Sequence, residues 1–142
     1  MLEIDTRQGY EYLLDLVLAK LSRIAPRIGD RVLEVRPTIM QTSKHANFTN
    51  LAQTARTMNR DPDHLARFIL KETGRAGSVQ EDRLVIQGRM PLDELSRLLE
   101  LYAKEFVKCP VCGSIDTKIV SEKRFRFLVC EACGAKNPVR RI

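Results

Sequence analysis

Four cysteines constrain this chain more than any other feature. They stand as Cys109-Pro110-Val111-Cys112-Gly113 and Cys130-Glu131-Ala132-Cys133-Gly134, two C-x2-C pairs separated by seventeen residues. Two intervening residues let both thiolates of a pair reach one ion from a tight turn. The glycine that follows permits the positive φ that aims backbone N–H groups at sulfur. Between the pairs, Thr117-Lys118-Ile119-Val120 and Phe125-Arg126-Phe127-Leu128-Val129 read as strands, with Ser121-Glu122-Lys123-Arg124 as the turn. This pattern predicts a zinc ribbon over residues 109–142. Cys109, Cys112, Cys130 and Cys133 would be the ligands of one structural Zn2+, because an all-sulfur set leaves no position for catalytic water. A redox dithiol pair explains neither the duplication nor the glycines. Metal binding could add roughly 10–16 kcal/mol of apparent folding energy, which so small a module needs.

The rest of the 142 residues is long enough for one small domain. Apolar residues at 44% and charged residues at 30% allow folding, and no apolar run approaches the length of a transmembrane helix. The opening Met1-Leu2-Glu3-Ile4-Asp5-Thr6 lacks the basic-then-apolar order of a signal peptide. The expectation is a cytoplasmic protein with reduced thiols and no membrane partner. The net charge is +6, of which residues 109–142 carry +4. Lys123, Arg124 and Arg126 at the hairpin tip, with Arg140 and Arg141, are candidate RNA contacts; solvated charges over a small aromatic core are the plainer alternative.

Tyr10, Leu13, Leu14, Val17, Leu18 and Leu21 fall on one helical stripe, and Tyr12 and Leu16 lie off it. A helix this apolar must cover its face on the chain's own core or on a partner. Arg31-Val32-Leu33-Glu34-Val35-Arg36 suggests a strand before Pro37, and Thr38-Ile39-Met40 a second. Phe48, Leu51, Ala52, Ala55 and Met58 recur at helical spacing with Asn47 as N-cap. Asp61 caps a further helix with Pro62 at its first position; Leu65, Phe68 and Ile69 are its buried face, and it stops at Gly74. Ser78-Val79 and Arg83-Leu84-Val85-Ile86 predict a hairpin about Glu81-Asp82. Pro91 opens a last helix, with Leu92, Leu95, Leu98, Leu99, Tyr102 and Phe106 on its face, running into Cys109.

The fold class is thus α+β, in four parts. Residues 1–25 form an N-terminal helix, 26–90 a small β/α domain, 91–108 a helical connector and 109–142 the ribbon. No nucleophile elbow, phosphate loop or zinc-protease motif occurs, so an enzyme is not expected. Gly74-Arg75-Ala76-Gly77 reads as a helix cap and turn, and His64 is explained by a local bond in its capping region. A DNA-reading helix is disfavoured by Asp61 and Asp63 at the end that would meet phosphates.

Several of these segments resemble the β subunit of archaeal and eukaryotic translation initiation factor 2. They are Asn47-Phe48, Met58-Asn59-Arg60-Asp61-Pro62-Asp63-His64-Leu65 and Arg83-Leu84-Val85-Ile86-Gln87-Gly88-Arg89. The ribbon, through Cys109-Pro110-Val111-Cys112-Gly113-Ser114, Asp116-Thr117 and Cys130-Glu131-Ala132-Cys133-Gly134-Ala135, is similar nearly position for position. Tyr10, Leu13, Leu14 and Asp15 are similar too, whereas Lys44-His45-Ala46 and Glu72-Thr73-Gly74-Arg75 depart from the pattern. The resemblance implies a non-catalytic subunit of a heterotrimer that, with GTP, carries methionylated initiator tRNA to the small ribosomal subunit. It implies docking on the γ GTPase subunit through the first helix, at Tyr10, Leu13, Leu14, Val17 and Leu18, with the α subunit reached through γ. A module resembling initiation factor 5, which promotes GTP hydrolysis, and a winged-helix transcription factor with a ribbon are the rival readings.

Overall fold

The computed structural model describes residues 7–24 and 33–142. Its elements are α1 (Arg7–Ile24), β1 (Ile39–Gln41), β2 (His45–Phe48), α2 (Leu51–Thr57), α3 (Pro62–Thr73), β3 (Gly77–Gln80), β4 (Arg83–Gln87), α4 (Leu92–Tyr102), a π-helical turn (Ala103–Val107), β5 (Thr117–Glu122), β6 (Phe125–Cys130) and β7 (Lys136–Val139). Two antiparallel sheets result, β1-β2-β4-β3 in the centre and β5-β6-β7 in the tail.

Alternation along β2 and β4 turns Ala46, Phe48, Leu84 and Ile86 to one face, where they are buried. Leu51, Ala55 and Met58 of the α2 segment, Leu65, Phe68 and Ile69 of α3, and Leu95, Leu99 and Tyr102 of α4 cover that face. Asp61 caps α3 as its spacing predicts, accepting from the Asp63 N–H, and Gly74 ends the helix at φ 63°. Gly77 has a different reason for being glycine. A Cβ there would stand 2.5 Å from the Val85 carbonyl oxygen and 2.7 Å from a Leu70 methyl.

Three expectations are corrected. Asn47 and Phe48 belong to β2 and not to a helix, which begins only at Leu51 with Asn50 at the N-cap position. A four-residue strand shows too little alternation to be told from a helical start, and Phe48 satisfies both patterns. Among the described residues, 33–36 pair with no strand; Arg31 and Val32 lie outside that range. Here Asn50 replaces the ladder. Its side-chain amide donates to the Arg36 carbonyl at 2.8 Å and accepts from the Thr38 N–H at 2.8 Å. Finally, Leu92 is exposed although it falls at the helical spacing of the buried α4 residues. The helical period then changes, since residues 103–107 form a π turn that carries Phe106 and Val107 into the core.

Asn50→Ala removes both backbone contacts. It should lower unfolding free energy by roughly 1–3 kcal/mol, as measured by urea titration with an unchanged m-value.

Candidate metal centre and its seam with the central domain

Both cysteine knuckles are built from the same hydrogen bonds. The Gly113 and Gly134 N–H groups donate to the Cys109 and Cys130 carbonyls at 2.9 and 3.0 Å. The Cys109 and Cys130 N–H groups donate to the Ser114 and Ala135 carbonyls, each at 2.9 Å. Both glycines sit in the left-handed region, at φ 73° and 74°, which a side chain would strain. A further bond, from the Glu131 N–H to the Asp116 carbonyl, ties one knuckle to the other. The strand register adds the rest, placing Thr117 directly opposite Cys130.

Together these bring Cys109, Cys112, Cys130 and Cys133 to one point, their four Sγ atoms all within 4.8 Å of one another. Sγ of Cys109 and Cys133 are 3.7 Å apart, and those of Cys112 and Cys130 are 3.5 Å apart. A tetrahedral Zn–S distance of ~2.3 Å requires edges of about 3.8 Å, so the donor set fits zinc and is far from disulfide geometry. Its electrostatics fit as well. Burial opposes ionisation of Cys109, but the Cys112 and Val111 N–H groups, aimed at its sulfur, outweigh this and bring the thiol down to about 7. At Cys112 the Ser114 N–H favours thiolate, yet burial and the neighbouring sulfurs push the group up to about 12. Cys133 is raised too: the Ala135 N–H favours its thiolate, and burial with the Cys130 and Cys109 sulfurs outweighs it. One thiolate forms readily, and further ones repel it until a cation is bound.

The ribbon lies against the central domain through two arginines. Arg60 follows Asn59, whose φ of 53° turns the chain out of α2. Its guanidinium donates to the Phe106 carbonyl at 2.7 and 3.0 Å, and to the Thr117 carbonyl and hydroxyl at 2.7 and 2.6 Å. Burial lowers its pKa, with Tyr102 opposing. The Thr117 hydroxyl in turn donates to the Val107 carbonyl. These contacts join the approach to Cys109 with the strand that faces Cys130. Arg140 closes the seam from the other end. It bonds Glu105 of the π turn and Glu72 of α3, the latter at 2.6 Å, and lies over the Phe68 and Phe106 rings. Glu105 first and Glu72 second raise its pKa.

Three features escaped sequence reading. His64 does not bond within its capping region. Its Nδ1 is 2.8 Å from the Tyr102 hydroxyl and its ring meets Phe106 edge-on, so its partner lies 38 residues away. Burial, then the charges of Arg126 and Arg60, lower its pKa, opposed by Asp61 and helped by Arg67. The strand β7 is the second. Lys136–Val139 contains Pro138, which suits only an edge strand, and its partner β6 is fixed by the ribbon as a whole. Arg60 is the third, and its only signal was its place in the turn between two predicted helices.

The remaining candidates are dispersed. Lys123 (φ 55°), Arg124 and the exposed Phe125 form the hairpin tip, with Arg124 stacked on the Phe125 ring at 5.6 Å. Arg126 is half-buried and Arg141 exposed. At the other end of the chain, Tyr10, Leu13, Leu14, Val17 and Leu18 of α1 are all exposed, as are Tyr12, Leu16 and Leu21. Among the described residues the core cluster contains none from α1, and no helix is long and apolar enough to cross a membrane.

An α+β domain carrying a four-cysteine ribbon defines the class of this protein. The sequence model for the domain found in initiation factors 2B and 5 matches residues 27–136. The chain is 37% identical over 135 residues to "Translation initiation factor 2 subunit beta" of Archaeoglobus fulgidus, covering 95% of this chain and 98% of that protein. The protein of the same name from Methanopyrus kandleri is 37% identical over 143 residues, covering 100% and 99% of the two chains. That from Thermofilum pendens is 38% identical over 133 residues, covering 93% and 94%. The chain belongs to the family of archaeal translation initiation factor 2 β subunits.

Two outcomes test this site. Zinc binding near pH 7.5 should release at least two protons, from Cys112 and Cys133, so affinity should already fall as pH drops through 7.5, and fall more steeply below about 7, where Cys109 also binds its proton. Calorimetry in buffers of different ionisation enthalpy measures the release. Arg60→Met should cost about 3 kcal/mol of stability by stranding buried carbonyls, and hydrogen exchange should quicken at Thr117 and the π turn before it does in β2 and β4.

Proposed function

We propose that this chain is the non-catalytic β subunit of a heterotrimeric initiation factor, which with GTP delivers methionylated initiator tRNA to the small ribosomal subunit in the cytoplasm. The observation that carries this reading is α1. Eighteen residues form a helix whose large apolar side chains are half-exposed, Tyr10 at 59% and Leu18 at 61%. Such a helix is suited to a groove on another protein. Within a family whose members are named as a β subunit, that groove belongs to the γ GTPase subunit, and the α subunit joins through γ.

In this reading residues 1–25 dock, 26–90 form the central domain, 91–108 connect, and 109–142 hold one structural zinc on Cys109, Cys112, Cys130 and Cys133. Saturating all four positions with sulfur gives the ion a folding role and no reactive one. Of the basic residues proposed for RNA contact, Lys123, Arg124 and Arg141 are exposed and Arg126 is half-buried, whereas Arg140 is engaged by Glu72 and Glu105.

The decisive experiment titrates purified γ subunit with the full chain, with residues 26–142, and with Tyr10, Leu13 and Leu14 changed together to alanine. Truncation should abolish binding. The triple variant should weaken it by about 3 kcal/mol or more, since buried anchors dominate such interfaces, with zinc content unchanged at one ion per chain. Normal binding by the triple variant would sink the assignment of α1. Accelerated GTP hydrolysis by γ on adding this chain would favour the alternative that resembles initiation factor 5.

A further inference from the structure

A groove of about 770 Å3 lies where α4, its π turn, residues 33–35 and the first cysteine knuckle meet. Its apolar lining comes from Leu33, Val35, Leu99, Val107 and Ile115. Leu99 and Val107 are buried and the other three half-buried, so the groove keeps apolar surface for an occupant. Lys104 and Lys108 line it too. Both are exposed, and neither has an ion pair among the described residues. Two unpaired cations beside an apolar floor suit an apolar segment flanked by two carboxylates.

α1 is such a segment. Glu11 follows Tyr10 and Asp15 follows Leu14, so the two carboxylates border the apolar stripe along one side. On the groove, Lys104 follows Ala103 and Lys108 follows Val107 in the same way. Both charged pairs are four residues apart, a spacing of about 6 Å on a helix. Each charged row lies on the same rotational side of its apolar row, so the two rows meet only when the helices run antiparallel. Glu11 then opposes Lys108, and Asp15 opposes Lys104. The ion pair that Glu11 makes with Arg7 joins two exposed groups and yields at little cost.

The path of the chain allows this contact. In the antiparallel arrangement the end of α1 comes beside Ser96, which lines the groove as Leu33 does. Nine residue steps join Ile24 to Leu33, and an extended chain of that length spans roughly 30 Å. So short a tether keeps α1 at a high local concentration, which favours it over the α1 of a second copy.

We infer that in the chain free of γ, α1 folds back antiparallel onto the groove between α4 and the first knuckle, and that γ must displace it. The competition rests on the reading of α1 as the γ-docking helix, whereas the groove contact stands on its own.

Hydrogen exchange of the zinc-loaded full chain tests the contact without γ. Amides of α1 should exchange about tenfold slower in the unaltered chain than in Lys104→Glu/Lys108→Glu, with β2 and β4 unchanged as a check on folding. Adding Glu11→Lys and Asp15→Lys to that variant should restore slow exchange. Lys44→Glu/Lys71→Glu, at exposed lysines outside the groove, should leave α1 as it is. Lys104→Glu/Lys108→Glu should bind γ tighter by the same factor of about ten, because the closed form no longer competes. Equally fast exchange of α1 in all these chains would overturn the groove contact and leave γ docking untouched. Protection that disappears on dilution would assign the groove to a second copy and overturn the fold-back. Unchanged γ affinity in the variant that frees α1 would overturn the competition. Slow exchange of α1 with no γ binding by any chain would uphold the groove contact and sink the docking reading alone.

Discussion

The meeting of four cysteine sulfurs at one point governs how the tail of this chain is put together. A sheet of three short strands cannot bury much, and in the tail Leu128 is the large apolar side chain that is fully enclosed. What concentrates the tail is the meeting of four sulfurs within 4.8 Å, an arrangement that becomes favourable only when a cation removes the repulsion between thiolates. The knuckle bonds and the paired glycines prepare that meeting. A dication held there would turn an unfavourable cluster into a source of stability for a module with little core.

That module is also anchored. Arg60 and Arg140 approach the seam from the central domain and from the ribbon respectively, and each engages backbone or carboxylate groups next to a ligand-bearing segment. Phe106 stands three residues before Cys109, and Thr117 lies opposite Cys130. Order at the metal centre is therefore felt at the seam, and order at the seam positions the first knuckle. The aromatic cluster of His64, Phe68, Tyr102 and Phe106 gives both arginines a rigid base. Arg60 spends its charge on backbone oxygens and Arg140 on carboxylates, so both charges are used within the structure.

The opposite end of the chain follows different logic. Where the central domain hides its apolar residues, α1 displays them, and among the described residues the core cluster includes none of them. A helix this apolar and this exposed is suited to a groove on another protein. The chain thus combines an exposed apolar helix, a self-contained core and a tail whose four cysteines can hold a metal ion in 142 residues.

Much of this is legible in the residues alone, because some instructions are local. The C-x2-C-G spacing specifies a knuckle within five residues, Asp61-Pro62 specifies a helix start, Gly74 its end, and the stripe from Tyr10 to Leu21 an amphipathic helix. Each depends on neighbours in the chain, where steric and hydrogen-bonding preferences act directly. Other features depend on partners far away. Asn47 and Phe48 form a strand because β1 and β4 offer a ladder on both sides. Residues 33–36 join no ladder, and Asn50 takes the Arg36 carbonyl instead. The strand β7 forms because β6 has a free edge. Arg60 could not be distinguished from any surface arginine until folding brought the Phe106 and Thr117 carbonyls to its guanidinium. Short-range chemistry therefore accounts for the metal-ligand set, the helix boundaries around Asp61 and Gly74, and the class of fold. Which polar groups meet across the seam is settled by long-range packing, since a distant hydrogen bond is chosen by which buried acceptors would otherwise go unpaired.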